Sequence, residues 1–201
     1  MLVYVRHGAT SLNKGGSEER LRGWLPVPLS PDGEQQARIT GTRLARMVPT
    51  PTTFRASDLN RTMQTANIIG QAIGATPTPD PSVRDWNTGK MAGQKVVDML
   101  PDMQRMIKNP DEVAPGGESM NDYRTRFEPL MRQLVAAPGV HLVVGHARGA
   151  SLIQGMASTG GGDTPIKYLL DKPTVEPGHI LIVGNDWNMN IDKPGSEQDS
   201  N

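Results

Sequence analysis

The sequence contains no cysteine and few aromatic residues. Without cysteine the chain cannot form disulfide bonds, thiolate nucleophiles or cysteine-ligated metal sites, and this composition fits a reducing compartment, so we expect a cytoplasmic protein. Aromatic residues make up 4% of the chain and accompany no basic stripe, which a surface for stacking nucleic-acid bases would need. We therefore expect no nucleic-acid partner.

The chain also lacks net charge and long apolar runs. Its 21 Lys and Arg residues balance its 21 Asp and Glu residues, so no overall field holds it on nucleic acid or an anionic membrane. An apolar run follows Met1 at once without a basic leader, and no stretch is long enough to span a bilayer. We expect no leader peptide and no membrane contact, and any bound anion must meet a local cluster of charge.

The length and composition fit one folded domain. With 201 residues and 36% hydrophobic content, the chain can bury a single sizeable core. Residues 190–201 are polar with Gly and Pro, which is typical of a flexible end. We predict one domain over residues 1–189, a flexible tail over 190–201, and either a monomer or a homodimer.

Two apolar runs, at 2–5 and 141–145, are each followed closely by a histidine and a glycine: the first ends at Arg6 before His7 and Gly8, and the second leads into His146 with Gly149 behind it. Such runs predict buried strands that deliver His7 and His146 on loops at their carboxyl ends, and these loops can be neighbours on one sheet edge. Further strands are predicted at 54–57 and 179–183. Helices are predicted at 31–47, about 58–74, 94–108 and 118–136, and again after His146. This alternation indicates an α/β fold with a largely parallel, covered sheet.

Capping signals support two of these helices. Ser30 is the expected N-cap of the helix at 31–47, with Pro31 in its first position and Glu34 placed to complete a capping box. Ser57 or Asp58 is the expected cap of the next helix, which closes near residue 74. Residues 75–93 are rich in Pro, Thr and Gly and are predicted as a long loop.

The segment Arg6-His7-Gly8 carries the clearest chemical signal. A neutral imidazole on a glycine-containing loop can approach a phosphorus atom, while the adjacent guanidinium holds phosphate oxygens by paired hydrogen bonds. On these three residues alone, the alternative is a strand-end histidine that caps a backbone group.

The wider pattern resembles the histidine phosphatase superfamily, also called phosphoglycerate mutase-like, and within it the small phosphatase branch. The resemblance is ordered along nearly the whole chain. Its matching segments are Arg-His-Gly-x-Thr-x-x-Asn at 6–13, Arg20 with Gly23-Trp24 and Pro28-Leu29 and Gly33, Ser-x-Leu-x-Arg-x-x-x-Thr-Ala at 57–66, residues 84–93, residues 115–119, and residues 143–146.

This resemblance implies a three-layer sandwich with a mostly parallel central sheet flanked by helices. It also implies a phosphomonoesterase for a small phosphorylated substrate, in which His7 becomes phosphorylated and is then hydrolysed. Asp85 stands at the proton donor's position, and the implied phosphate-binding residues are Arg6, Asn13, Arg61 and His146. No metal or other cofactor is expected, because the cationic side chains supply the charge.

Several positions depart from the family pattern. Ala9 and Pro26 stand where many members have Glu and Asp, and Asp85 stands where the small phosphatases usually have Glu. The shorter side chain of Asp85 requires a closer loop or a weaker proton donation. Arg148 follows the second histidine in place of a common glycine and adds a cation near the mouth of the site.

Alternatives stay open at individual residues and for the whole chain. Arg61 can be a surface ion-pair partner, Asp85 an exposed loop residue, and His146 a core histidine. A mutase is the nearest rival function, although no Glu-Arg-x-Tyr-Gly segment of the glycolytic mutases follows Asp85. A non-catalytic phospho-ligand binding module is another. A histidine-ligated metal enzyme has little support, because the four histidines lack a close ligand spacing.

Overall fold

The predicted strands pair into one sheet in the computed structural model, which describes residues 1–13, 15–171 and 175–192. Its strands are β1 (Leu2–Arg6), β2 (Thr53–Ala56), β3 (Thr78–Pro79), β4 (His141–Gly145), β5 (Ile180–Val183) and β6 (Met189–Asp192). Its helices are α1 (Pro31–Met47), α2 (Asn60–Ile73), α3 (Val96–Lys108), α4 (Met120–Ala136), α5 (Ala147–Ser158) and α6 (Lys167–Leu170).

The sheet is mixed but mostly parallel, as predicted. The strand order is β3-β2-β4-β1-β5-β6. The first four strands in this order run parallel to one another, and β5 is antiparallel to both β1 and β6. The central position of β1 and β4 explains why the sequence shows them as continuous apolar runs, since both faces of these strands are covered.

Helices cover both faces and make three layers. Along β1 the side chains alternate, so that Val3 and Val5 pack in one cluster with Leu44 of α1 and Ile69 of α2. Residues on the other face of the same strand join a second cluster built with α3, α4, α5 and α6: Leu2 and Tyr4 pack there with Met103, Met106, Phe127, Met131, Ile153 and Leu169. The predicted three-layer α/β architecture is confirmed.

The start of α1 follows the prediction in part. Ser30 is the N-cap, its side chain accepts a hydrogen bond from the Gly33 backbone N–H, and Pro31 takes the first position. The predicted capping box is wrong, because Glu34 lies one position too far along the helix and instead pairs with Arg38 at 3.0 Å. Gly33 is needed for another reason: a Cβ there would lie 2.0 Å from the Ala9 carbonyl oxygen of the loop after β1.

The start of α2 differs from the prediction. Leu59 is the N-cap, without a side-chain hydrogen bond, and neither Ser57 nor Asp58 caps the helix. Asp58 pairs with Arg84 at 2.5 Å, while the Ser57 hydroxyl lies 2.9 Å from a nitrogen of His146. Both candidate caps are therefore engaged by tertiary partners, and Gly74 closes the helix in a left-handed conformation as expected.

The carboxyl-terminal part corrects one boundary. Residues 190–192 belong to β6, so the flexible tail predicted from residue 190 is wrong for these three, and residues 193–201 lie outside the described residues. Strand β6 was missed because it has only four residues, in which Met189 and Ile191 alternate with polar residues, and it pairs as an edge strand with β5. The single domain over 1–189 stays a prediction. Among the described residues, no helix is long and apolar enough to cross a membrane.

Candidate active site

The two histidine loops lie side by side at the carboxyl edge of the sheet. Strands β1 and β4 are parallel neighbours whose register aligns Arg6 with Gly145, so the next residues, His7 and His146, emerge together. Their rings are 5.3 Å apart between centroids and nearly perpendicular at 67°. The predicted neighbourhood of the two loops is confirmed, and its cause is the parallel pairing of the strands that deliver them.

The hydrogen bonds of His7 define its tautomer. Its Nδ1 lies 2.7 Å from the Gly8 carbonyl oxygen, which can only accept, so Nδ1 carries the proton. The unprotonated Nε2 accepts a hydrogen bond from Arg61 Nε at 3.3 Å. Burial, followed by the charges of Arg61 and Arg6, holds the pKa of His7 well below its ordinary value. At neutral pH the ring is therefore neutral, with its lone pair on Nε2.

Arg61 lies between the two imidazoles and is fully buried. Its Nη2 donates to the Gly23 carbonyl at 2.9 Å and to His146 Nδ1 at 3.2 Å, and its Nη1 donates to the Leu25 carbonyl at 3.3 Å. Burial lowers the pKa of Arg61 to about 10, so the guanidinium remains charged at neutral pH. The alternative role of Arg61 as a surface ion-pair partner is wrong.

His146 is held from two sides. Because Arg61 can only donate, His146 Nδ1 accepts, and Nε2–H donates to the Ser57 hydroxyl at 2.9 Å. The Tyr4 hydroxyl accepts from the His146 backbone N–H at 2.6 Å and donates to its carbonyl at 2.9 Å. Burial and the nearby Arg61 charge lower the pKa of His146 well below its ordinary value. Sequence reasoning missed the supporting roles of Tyr4 and Ser57, because nothing in a strand tyrosine or a helix-start serine signals a partner so far along the chain.

Arg6 connects this centre to a cavity of about 690 Å³. It is 6% exposed, and its Nη1 donates to the Val175 carbonyl at 2.6 Å. Its buried Nε has no hydrogen-bond partner among the described residues, so an oxygen of a bound anion can satisfy it. Burial lowers the pKa of Arg6 to about 10, which keeps its charge at neutral pH. The cavity also meets Asn13, Arg22 and Arg148.

Asn13 and Asp85 are both near the centre but differ in how they are held. The Asn13 amide oxygen accepts from the Thr10 N–H and hydroxyl, each at 3.0 Å, so the loop holds its side chain. The backbone carbonyl of Asp85 accepts from Trp24 Nε1 and Arg126 Nη2, both at 2.8 Å. The Asp85 carboxylate lies close enough to raise the pKa of Arg61 electrostatically, and one of its oxygens accepts from the Trp86 N–H at 3.0 Å.

The geometry brings all the predicted residues to one edge of the sheet, but their chemical roles stay predictions. Their arrangement combines a neutral imidazole with a free lone pair on His7, several cations and one carboxylate. Within the described part of the chain, no group of three or more His, Cys, Asp or Glu side chains is arranged to hold a metal ion. The arrangement can therefore bind a phosphate group through cations and place it against the His7 lone pair.

Comparison with known proteins agrees with this geometry. A sequence model of the histidine phosphatase superfamily (branch 1) matches residues 2–160. The chain is 37% identical over 140 residues to a probable phosphoglycerate mutase GpmB of Enterobacter sp. (strain 638), which corresponds to 67% of this chain and 62% of that relative. The same-named protein of Salmonella paratyphi C (strain RKS4594) is 34% identical over 139 residues. This chain thus spans less than two thirds of the length of these curated relatives.

Solved structures share the whole fold. A mycobacterial glucosyl-3-phosphoglycerate phosphatase in complex with VO3 matches with a TM-score of 0.71 and 25% identity over 95% of this chain and 96% of that chain. A phosphoglycerate mutase from Thermus thermophilus matches with a TM-score of 0.66 and 27% identity, covering 96% of each chain. The similarity therefore extends through the sheet and both helical layers.

Proposed function

Since the chain belongs to the histidine phosphatase superfamily, we propose that it is a metal-independent phosphomonoesterase that works through a phosphohistidine on His7. The observation that supports this most strongly is the tautomer of His7. Its Nδ1–H is fixed on the Gly8 carbonyl at 2.7 Å, which leaves Nε2 as a lone pair in a cluster of cations. A histidine placed only to cap a backbone group would not need its second nitrogen facing Arg61.

Substrate binding starts with an exchange of hydrogen bonds. The phosphate oxygens take over the donors of Arg61 that now contact His7 and His146, and they also satisfy the unpartnered Nε of Arg6. Asn13 lines the same cavity and adds an amide donor. Since the carbonyls of Gly23 and Leu25 continue to hold Arg61, the guanidinium stays in place when the ligand arrives.

In the first chemical step, the His7 Nε2 lone pair forms the N–P bond while the bond from phosphorus to the ester oxygen breaks. The electron pair goes to the leaving oxygen, which takes a proton from the Asp85 carboxyl. The positive charge that develops on the imidazole is stabilised through Nδ1–H by the Gly8 carbonyl. Negative charge on the equatorial oxygens is neutralised by the two arginines.

In the second step, water attacks phosphorus as the N–P bond breaks. The Asp85 carboxylate takes a proton from this water, the electron pair of the N–P bond returns to Nε2, and inorganic phosphate leaves. His7 and Asp85 thereby recover the protonation states that they had before the first step. The lowered pKa of His7 suits this role, because the ring returns to a neutral nucleophile without a competing proton.

Hydrolysis of p-nitrophenyl phosphate in the presence of a chelator tests the proposal. We expect turnover by the native chain and a loss of roughly 10⁴-fold or more in His7→Gln. His141→Gln is the matched control, because His141 is also buried but contacts Thr53 and the Pro138 carbonyl away from the centre. Turnover that persists in His7→Gln, or that requires a divalent metal, would contradict the proposal.

A mutase is a second candidate, and the names of the GpmB relatives favour it. In that case the phosphoryl group on His7 returns to another hydroxyl of the substrate instead of passing to water. The absence of the Glu-Arg-x-Tyr-Gly segment after Asp85 speaks against it. Product analysis separates the two, since hydrolysis releases inorganic phosphate from 3-phosphoglycerate, whereas a primed mutase converts it to 2-phosphoglycerate with little phosphate released.

A further inference from the structure

The cavity beside Arg6 is larger than a phosphate group needs. Its volume of about 690 Å³ is in the range of pockets that enclose a ligand of drug size. It runs from Arg6 and Asn13 at the phosphate end to α3 and α6 at the other end. An ester that reaches Arg6 through this cavity therefore places its alcohol part against these two helices.

One face of α3 forms an apolar wall of this cavity. Four of the five α3 residues in the described lining are apolar, namely Val96, Leu100, Met103 and Ile107, and the fifth is Gln104. The spacing of four, three and four residues puts the apolar four on the same side of the helix. A wall of this length extends about 16 Å along the helix axis. Leu169, Leu170 and Pro177 continue the apolar surface on the neighbouring side.

The wall is buried at one end and most exposed at Leu100, while Val96 beyond it is partly buried. Ile107 and Met103 are 3% and 6% exposed, whereas Leu100 is 43% exposed. A single exposed leucine is ordinary on a protein surface. Leu100, however, continues the same face as two buried side chains and opens into the cavity that Arg6 lines. A ligand that fills the cavity would remove this uncovered apolar surface from water.

The charges around the cavity favour an uncharged alcohol part. Two of its three arginines have acidic neighbours there: Glu19 is 3.3 Å from Arg22, and Glu176 is 3.8 Å from Arg6. The third, Arg148, donates to the Leu169 carbonyl at 3.0 Å and lies over the Trp86 ring at 5.5 Å. Asp171 adds a third carboxylate, so the described lining is balanced and offers a second anionic group little net attraction.

From the size, the apolar face and the balanced charge, we propose that this cavity receives the leaving group of an apolar phosphomonoester, an aryl or medium-chain alkyl phosphate. This proposal rests on the proposed phosphatase function, because it assigns the alcohol part of that enzyme's substrate. The phosphate binds at Arg6, which lines the cavity, and at Arg61 in the buried centre, and the aryl or alkyl body lies along α3 from Ile107 towards Leu100.

A binding series with n-alkyl phosphonates, from methyl to octyl, tests the proposal without turnover. Calorimetry at neutral pH should show affinity rising about two- to fourfold per methylene until the wall is covered. Leu100→Asn should weaken octyl phosphonate about fivefold or more and leave methyl phosphonate within about twofold. Val97→Asn is the matched control, since Val97 is a neighbouring α3 residue of similar exposure, 49%, that does not line the cavity.

The outcomes separate this proposal from the proposed function. A flat series, or a rise that Leu100→Asn and Val97→Asn affect equally, overturns the apolar leaving-group site whether or not p-nitrophenyl phosphate is hydrolysed. A rising series that only Leu100→Asn flattens supports the site. Absent hydrolysis alongside such a series would overturn the phosphatase function while leaving the apolar binding site in place.

Discussion

Two neighbouring regions are built in opposite ways: the buried centre of His7, Arg61 and His146, which we call the floor, and the α3 face that lines the cavity beside Arg6, which we call the wall. The floor is polar, buried and held by hydrogen bonds: His7, Arg61 and His146 are each 2% exposed or less. The wall on α3 is apolar, joins no hydrogen-bond network through its side chains, and becomes exposed at Leu100. The floor has one arrangement that suits phosphate chemistry, whereas the wall offers area and shape. We infer that the floor sets the reaction and the wall sets which ester undergoes it.

Beyond the loss of His7 itself, the largest effect is expected at Asp85, the predicted proton donor, which stands where the small phosphatases usually have glutamate. Asp85→Asn should lower kcat/KM about 10²- to 10⁴-fold for phenyl phosphate, whose leaving oxygen needs a proton. The loss should be much smaller for p-nitrophenyl phosphate, since nitrophenolate leaves without one. Steady-state kinetics with both substrates measures the difference.

Asp32→Asn serves as the control for this experiment, because Asp32 is an exposed residue in the first turn of α1. It should change neither substrate's rate. Equal losses for the two esters in Asp85→Asn would assign Asp85 to binding or folding and would remove it as the proton donor.

The next largest effect is expected at Arg61. Arg61→Lys keeps the charge but loses the planar fork that bonds both histidines and two loop carbonyls at once. We expect kcat/KM to fall about 10²- to 10³-fold for phenyl and 1-naphthyl phosphate alike. Arg38→Lys, on the exposed side of α1, is the control, and thermal unfolding reports whether each variant keeps its fold. A loss confined to naphthyl phosphate would show that Arg61 selects among esters, which contradicts the inference that only the wall does so.

Motifs indicated which residues meet at the floor, because these residues lie in short contiguous segments, while their chemical roles stay predictions. Arg6 and His7 are adjacent, and the segment that contains Arg61 has a recognisable spacing. The parallel pairing of β1 and β4 then brings His146 to the same place, which two apolar runs already indicated. The capping predictions failed for two reasons: Asp58 pairs with Arg84, a tertiary partner, and Glu34 lies one position beyond the N3 site of a capping box.

The wall could not be predicted, because its function depends on long-range packing. The helix period of α3 is visible in the sequence, but which face meets the cavity depends on how α3 packs beside α6, which lies far along the chain. The edge strand β6 was missed for a similar reason, since its four residues are too short a pattern by themselves and pairing with β5 decides their conformation. Local chemistry was therefore easier to infer than substrate selection.

The smallest effect concerns the stability of the floor towards acid. Burial keeps the pKa of His7 and His146 well below their ordinary values in the folded state, so below about pH 6.5 the unfolded chain binds more protons than the folded one. The free energy of unfolding should therefore fall as the pH decreases, by up to about 1.4 kcal/mol per pH unit for each histidine. Urea unfolding at pH 7 and pH 5.5 measures this slope.

His146→Asn isolates one of these contributions. We expect its slope between the two pH values to be smaller than that of the native chain, because asparagine does not titrate. An unchanged slope would mean that the folded chain does not hold His146 neutral. It would contradict the claim that burial fixes the charge state of the floor.

Trapping the phosphoryl group tests most directly whether His7 is the nucleophile. The native chain is quenched in alkali during turnover of p-nitrophenyl phosphate, since phosphohistidine is labile in acid, and its peptides are mapped by mass spectrometry. We predict one phosphorylated peptide, with the phosphoryl group on His7 and none on His146. Steady turnover without a phosphorylated peptide, or with the group on His146, would contradict the central claim that His7 is the nucleophile.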